Sequence, residues 1–146
     1  MQKNNFFLIE DFLPYILTQA AETVSANFQA FYKGKYGILR TEWRILFHLG
    51  NFGQMTARDI GINAKTHKTK ISRAVFRLEK KKYLKRTTSE EDRRVEFLSL
   101  TEQGVAVYND LKKEAEGFET RIMKNLTESE VLVLRQCLKK LEANFD

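Results

Sequence analysis

The chain has 146 residues, about the length of one domain, and its 42% hydrophobic and 30% charged residues are ordinary for a globular protein with a core. No apolar run reaches the ~18 residues of a membrane span, and the stretch Phe6 to Ile9 is too short for a signal-peptide core and leads into Glu10 and Asp11. Cys137 is the single cysteine, so an intrachain disulfide is excluded and a cytoplasmic location is expected, while the net charge of +6 makes a polyanionic partner worth testing against the charge distribution.

The first expected helix carries Ile16, Ala20, Val24, Phe28 and Phe31 at intervals of three or four, the mark of one apolar face. Asp11 is the expected cap, Pro14 falls in the first turn, and Gly34 and Gly37 close the helix around Tyr32 after about 20 residues. A helix this long and aromatic near a chain end suits an interface. Thr41 is expected to cap a second helix, with Trp43, Ile45, Leu46 and Leu49, closed by Gly50 and Gly53. Thr56-Ala57-Arg58-Asp59 opens a short third helix with a hydroxyl cap and an acid three residues on.

Thr66 is the expected cap of a fourth helix. Its buried side should be Ile71, Val75 or Ala74, and Leu78, leaving Lys68, Thr69, Lys70, Arg73 and Arg77 opposite. The period then changes. Tyr83 to Thr88 and Arg94 to Leu100 read as strands, and Ser89-Glu90-Glu91-Asp92-Arg93 closes them into a hairpin. Thr101 should cap a fifth helix with Tyr108, Leu111, Ala115, Phe118 and Ile122 on one face. Thr127-Glu128-Ser129-Glu130 is a capping box for a sixth, whose Val131, Leu134, Leu138, Leu141 and Phe145 form an a/d seam that asks for a partner helix.

The charge is not spread evenly. Between Thr56 and Arg94 there are 13 Lys and Arg against 5 Asp and Glu, a net of +8; the remainder has 12 against 14, a net of −2. Scattered charges would suggest a solvated face, whereas confinement to one segment favours a polyanion. That segment reads short helix, longer basic helix, hairpin, which is the order of a helix-turn-helix with an added probe. The second helix of such a pair fits the major groove and its N-terminal half reaches base edges, here Thr66, His67, Lys68, Thr69, Lys70 and Arg73. Arg58, Arg77, Lys80 and Lys81 are placed to meet phosphates, which position a protein without reading sequence. At the hairpin tip, Arg93 and Arg94 suit the negative potential of a narrow minor groove. Asp92 repels phosphate, so it either holds an arginine in place or forms a plain surface ion pair.

Asp92-Arg93-Arg94 and Leu98-Ser99-Leu100-Thr101, with Gly104 three residues further, resemble the D-x-R … L-x-L-T … G wing signature of the multiple-antibiotic-resistance regulator (MarR) family. Glu42-Trp43-Arg44-Ile45-Leu46, Thr56 to Ile60, Ile71-Ser72-Arg73, Leu78-Glu79-Lys80 and Leu126 to Glu130 are similar in the same order, so the resemblance covers nearly the whole chain. It implies an α+β, mostly α fold, a winged helix-turn-helix domain flanked by N- and C-terminal dimerisation helices. Residues 1–146 would form one domain, with a DNA-binding lobe at 38–101 and a dimerisation region at 1–37 and 102–146. It further implies a homodimeric repressor, less often an activator, on an inverted-repeat operator in double-stranded DNA, with Arg94 steadied by Asp92 in the minor groove. The family commonly has glycine where Lys82 stands; either Lys82 adopts the left-handed backbone, at roughly 1 kcal/mol, or the turn differs.

Other residues have competing readings. A small aromatic or phenolic effector, as the resemblance implies, would reach Trp43, Arg44 and His48; a packed aromatic, a surface ion pair and a capped histidine are the plain alternatives. His67 either donates to a phosphate or is solvated. Cys137, among apolar residues, is expected to be a buried, inert thiol. Two histidines and one cysteine lack metal-ligand spacing, and no phosphate loop or nucleophile constellation is present, so no metal, no cofactor and no enzymatic activity are expected. A winged helix that binds protein or RNA is the rival reading, and a small enzyme a remote third.

Overall fold

The computed structural model describes residues 7–145; Phe6 of the N-terminal apolar stretch lies outside the described residues. A short 3-10 turn, Ile9–Asp11, leads into α1 (Leu13–Tyr36), followed by α2 (Arg40–Phe52), α3 (Ala57–Asn63), α4 (Lys68–Lys80), β1 (Leu84–Thr88), β2 (Glu96–Leu100), α5 (Glu102–Ile122) and α6 (Glu128–Ala143). The expected mostly helical α+β class and winged helix-turn-helix are what is observed. Among the described residues no helix is long and apolar enough to cross a membrane.

Helix boundaries follow local chemistry, and several differ from the sequence expectation. Asp11 does not cap α1: it is used in the 3-10 turn, and extended Phe12 takes the N-cap position without a side-chain bond. The helix runs through Gly34, which has open space around it, and stops only where Gly37 turns left-handed at φ +63°, its N–H donating to the Lys33 carbonyl at 2.9 Å. Thr41 does not cap α2 either. Leu39 takes that place, and the carboxylate of buried Glu42, three residues into the helix, accepts from its backbone N–H. Gly50 does not end α2: it lies within the helix, where the ring of Tyr108 occupies the space a side chain would need, and Gly53, at φ +76°, ends it. The expected Thr56, Thr101 and Thr127 caps are present, with side-chain oxygens accepting from Asp59, Gly104 and Glu130 at 3.0–3.1 Å.

The chain divides into two compact units, one ending at Lys112 and the other beginning at Lys113. In the first, Ile45, Leu46 and Leu49 of α2, Ile60 of α3, Ile71, Ala74, Val75 and Leu78 of α4, Leu84 of β1 and Leu98 of β2 are all buried. They place α4 against α2 and α3 against α4, with the hairpin beside them. Leu84 pairs with Leu100 and Thr88 with Glu96 in the antiparallel sheet. Met55 adds a third, one-residue rung: it exchanges N–H···O bonds with Leu98 at 3.1 and 2.7 Å, which ties the loop before α3 to the hairpin. An aromatic chain, Phe28, Tyr32, Trp43, Phe47 and Tyr108, joins α1, α2 and α5 through contacts of 5.1–5.8 Å between ring centres.

In the second unit, Thr127 and Glu130 close the expected capping box, and Arg135 of α6 pairs with Glu119. No described residue of α6 is buried, and Leu134 and Leu138 of its seam are exposed. Cys137 is therefore not the buried thiol expected from its apolar neighbours: it is exposed, as are most of the described residues of α6.

Candidate nucleic-acid interface

The basic helix α4 buries Ile71, Ala74, Val75 and Leu78 and leaves its opposite side to solvent. Lys68, Thr69, Lys70, Arg73 and Arg77 all lie on the exposed side. The helix begins one residue later than expected. Thr66 turns its hydroxyl back to donate to the Ala64 carbonyl at 3.0 Å, and His67 becomes the cap, its Nδ1 accepting from the Thr69 N–H at 3.2 Å. That bond needs an unprotonated Nδ1, so in the neutral ring the proton sits on Nε2, the nitrogen that does not face the helix. Thr66 is half-buried in the turn, whereas Arg58 on α3 is exposed.

The C-terminal end of α4 fixes the start of the hairpin. Lys82 adopts the left-handed backbone, φ +64°, so of the two alternatives for this position the residue accepts the conformation. Its carbonyl accepts from the Thr101 hydroxyl at 2.6 Å, and the same oxygen of Thr101 accepts from Gly104 at 3.0 Å. Gly104 lies against Tyr83, where a Cβ would come within 1.8 Å of the backbone oxygen. The L-T-x-x-G segment thus works as one device: the threonine clips both ends of the hairpin, and the glycine lets α5 approach the strand. Lys81 points away from the outer face, with its Nζ 3.3 Å from the Tyr36 carbonyl, while Lys80 is exposed.

At the tip, Ser89 and Asp92 each bond to Val95, at 2.9 and 3.0 Å, and shorten β2 so that Arg94 lies in the turn rather than in the strand. Asp92 Oδ1 accepts from the backbone N–H of Arg94 at 3.0 Å and from its Nε at 3.1 Å; Oδ2 accepts from a terminal nitrogen at 3.3 Å. Those bonds from the Arg94 side chain and backbone hold the Asp92 carboxyl below its ordinary range. The Arg94 side chain nevertheless remains 91% exposed, and Arg93 beside it is exposed as well. A second arginine works at the base of the hairpin. Arg86 of β1 pairs with Glu79 of α4 at 3.0 Å and with Glu96 of β2 at 3.2 Å, bridging the helix to both strands. Sequence reasoning missed this bridge, whose partners are 7 and 10 residues away.

Trp43, Arg44 and His48 do not all lie on one side of α2. Trp43 is packed in the aromatic chain, and His48 places Nδ1 2.7 Å from the Arg44 carbonyl, one helical turn back. At 3.6 residues per turn, Arg44 and His48 share one side of α2 and Trp43 lies on another. Beyond Trp43, the Tyr32 hydroxyl has its pKa raised by burial, against the opposing pull of Arg40 and Trp43.

Comparison with known proteins fits this geometry. The MarR family model matches residues 36–95, from the end of α1 to the tip of the hairpin. The transcriptional regulator MhqR of Bacillus subtilis is 31% identical over 110 residues, covering 75% of this chain and 76% of that protein. PapX of Escherichia coli, also an HTH-type transcriptional regulator, is 30% identical over 139 residues, 92% of this chain and 85% of PapX. Among solved structures, a MarR/EmrR family regulator from Acinetobacter sp. ADP1 superposes with a TM-score of 0.87 at 28% identity, covering 96% of this chain and 99% of that one. From the ordered helix-turn-helix and wing to the regulators it matches along most of its length, the chain belongs to the MarR family of transcriptional regulators.

Proposed function

We propose that this protein binds double-stranded DNA as a homodimer and represses transcription at an inverted-repeat operator. The observation that carries the proposal is the pairing of two exposed basic probes on one lobe: the outer side of α4 and the Asp92-held Arg94 of the wing. Lys68, Thr69, Lys70 and Arg73, with Thr66 and His67 at the start, are the residues for the major groove. Arg58, Arg77 and Lys80 meet phosphates, Lys81 doing so only if it leaves the Tyr36 carbonyl, and Arg93 and Arg94 enter the minor groove. That MhqR and PapX are HTH-type transcriptional regulators supports the reading.

The dimer proposal rests on apolar surface. Ile16 and Val24 of α1 and Leu134 and Leu138 of α6 are exposed in the single chain, more than a monomer gains by leaving in water. A lobe at 38–101 would then be carried by a dimerisation region at 1–37 and 102–146. The two recognition helices would sit about one helical turn apart, ~34 Å, on one face of the duplex. A small aromatic or phenolic effector acting at the Arg44 and His48 side of α2 would release it. Selection of bound duplexes from a random pool tests the proposal: an enriched inverted repeat with that spacing is expected, and no enrichment, or enrichment of single half-sites only, would overturn it.

A further inference from the structure

The outer side of α4 carries a residue that its charges hide. Phe76 is 61% exposed, a large aromatic left in water on a helix whose apolar face is elsewhere complete. Its place is specific. At 100° per residue, Thr69, Ser72, Arg73 and Phe76 form an i, i+3, i+4, i+7 stripe within about 100° of arc, directly opposite Ile71, Ala74, Val75 and Leu78. That spacing is the one by which a helix lying in a major groove presents successive side chains to base edges, as in the homeodomain recognition helix. All four residues of the stripe are exposed. Arg77 beside the stripe and Lys80 at its C-terminal end are exposed cations placed for phosphates, so a duplex docked by them lies over the ring rather than avoiding it.

Among base edges in the major groove, one is apolar: the C5-methyl group of thymine. Polar edges would lose hydrogen-bonded water to a phenyl ring and gain no bond in return. Building on the DNA-binding role proposed above, we propose that Phe76 is a specificity-determining residue that packs on a thymine methyl group in each half-site, further along the groove than the base contacts of Thr69 and Arg73. The helix fixes that direction. Phe76 lies two turns beyond Thr69, about 10 Å along the axis at 1.5 Å per residue, or roughly three base pairs away.

The test uses uracil, which pairs as thymine does and lacks only the methyl group. Each thymine of a selected duplex is replaced in turn by deoxyuridine, and the full chain and its Phe76→Ala and Phe76→Leu variants are titrated against the set. At one position per half-site, removing the methyl should weaken the unaltered chain about fourfold, the value of one buried methyl group. Phe76→Ala should bind the thymine duplex correspondingly less well and be indifferent to uracil at that position. Phe76→Leu should retain part of the sensitivity. If Phe76→Ala keeps the full uracil penalty, or binds the thymine duplex as well as the unaltered chain, the Phe76 assignment is overturned while DNA binding stands. If the unaltered chain binds no duplex at all, both fall.

Discussion

Asp92 grips Arg94 at three points, through the backbone N–H and through two nitrogens of the guanidinium, yet leaves the arginine side chain 91% exposed. As an exposed surface ion pair, the carboxylate therefore adds little to the fold. What it supplies is direction. An arginine already aimed needs less ordering on binding, a saving of about 0.5–1.5 kcal/mol for one immobilised side chain.

Asp92→Ala is accordingly expected to weaken duplex binding about three- to tenfold per wing, with the unfolding midpoint unchanged. Fluorescence anisotropy and thermal melting, run on the same preparation, separate the two effects. The pH dependence has a definite sign. The folded-state pKa of Asp92 is depressed, so the pair is complete above the ordinary carboxylate range and is lost only as pH falls through the lowered value. Across neutral pH, the ratio between Asp92→Ala and the unaltered chain should stay constant.

Lys82 stands in the left-handed region at φ +64°. Glycine adopts that backbone without the Cβ penalty, at the cost of a more flexible unfolded chain. Lys82→Gly should stabilise the protein by about 0.5–1 kcal/mol in denaturant unfolding. Lys82→Val should destabilise it, since a β-branched residue fits the left-handed region worst.

Two glycines in helices should respond oppositely to alanine. Gly34 has open space around it, and Gly34→Ala should stabilise α1 by up to about 1 kcal/mol. Gly104 faces the Tyr83 backbone at a distance no Cβ can share, and Gly104→Ala should cost about 3 kcal/mol or more and loosen the root of the wing. Calorimetry of the two variants checks both signs at once.

Tyr36 donates its hydroxyl to Asp110, which also pairs with Lys35 at 2.7 Å. Burial, then the bond to Asp110 and its charge, push the phenol up to about 12. A raised folded value means that folding favours the neutral phenol. Its contribution is complete below the ordinary tyrosine value of about 10 and is lost as pH rises through about 12. A tyrosinate absorbance titration should show a high-pH component that Tyr36→Phe removes and that Asp110→Asn moves part of the way back.

Much of this molecule was legible in its periodicity. The apolar stripe of α4 named its buried residues, and the residues opposite were read as exposed for the same reason. The hairpin and the Thr56, Thr101 and Thr127 caps also follow from short-range spacing, whereas the Asp92–Arg94 contact was implied by the family resemblance. Misread features depended on distant partners. Gly50 looks like a helix stop until Tyr108, far along the chain, is seen to need its missing side chain. Thr41 has the better capping hydroxyl, but Glu42 reaches the Leu39 N–H, and Leu39 becomes the cap. Cys137 keeps apolar neighbours in sequence, but no described residue of its helix is buried. Phe76 was passed over because charges dominate its helix; the i, i+3, i+4, i+7 pattern with Thr69 was there to find it.

The most direct measurement of the central claim is the salt dependence of duplex affinity for the unaltered chain, compared with Arg94→Ala. With Arg58, Arg77 and Lys80 of two protomers at phosphates, the affinity should fall roughly a thousandfold between about 50 and 200 mM salt, and Arg94→Ala should bind more weakly at every concentration. Affinity that is flat in salt, or untouched by the loss of Arg94, would contradict the proposal that this helix and wing grip DNA.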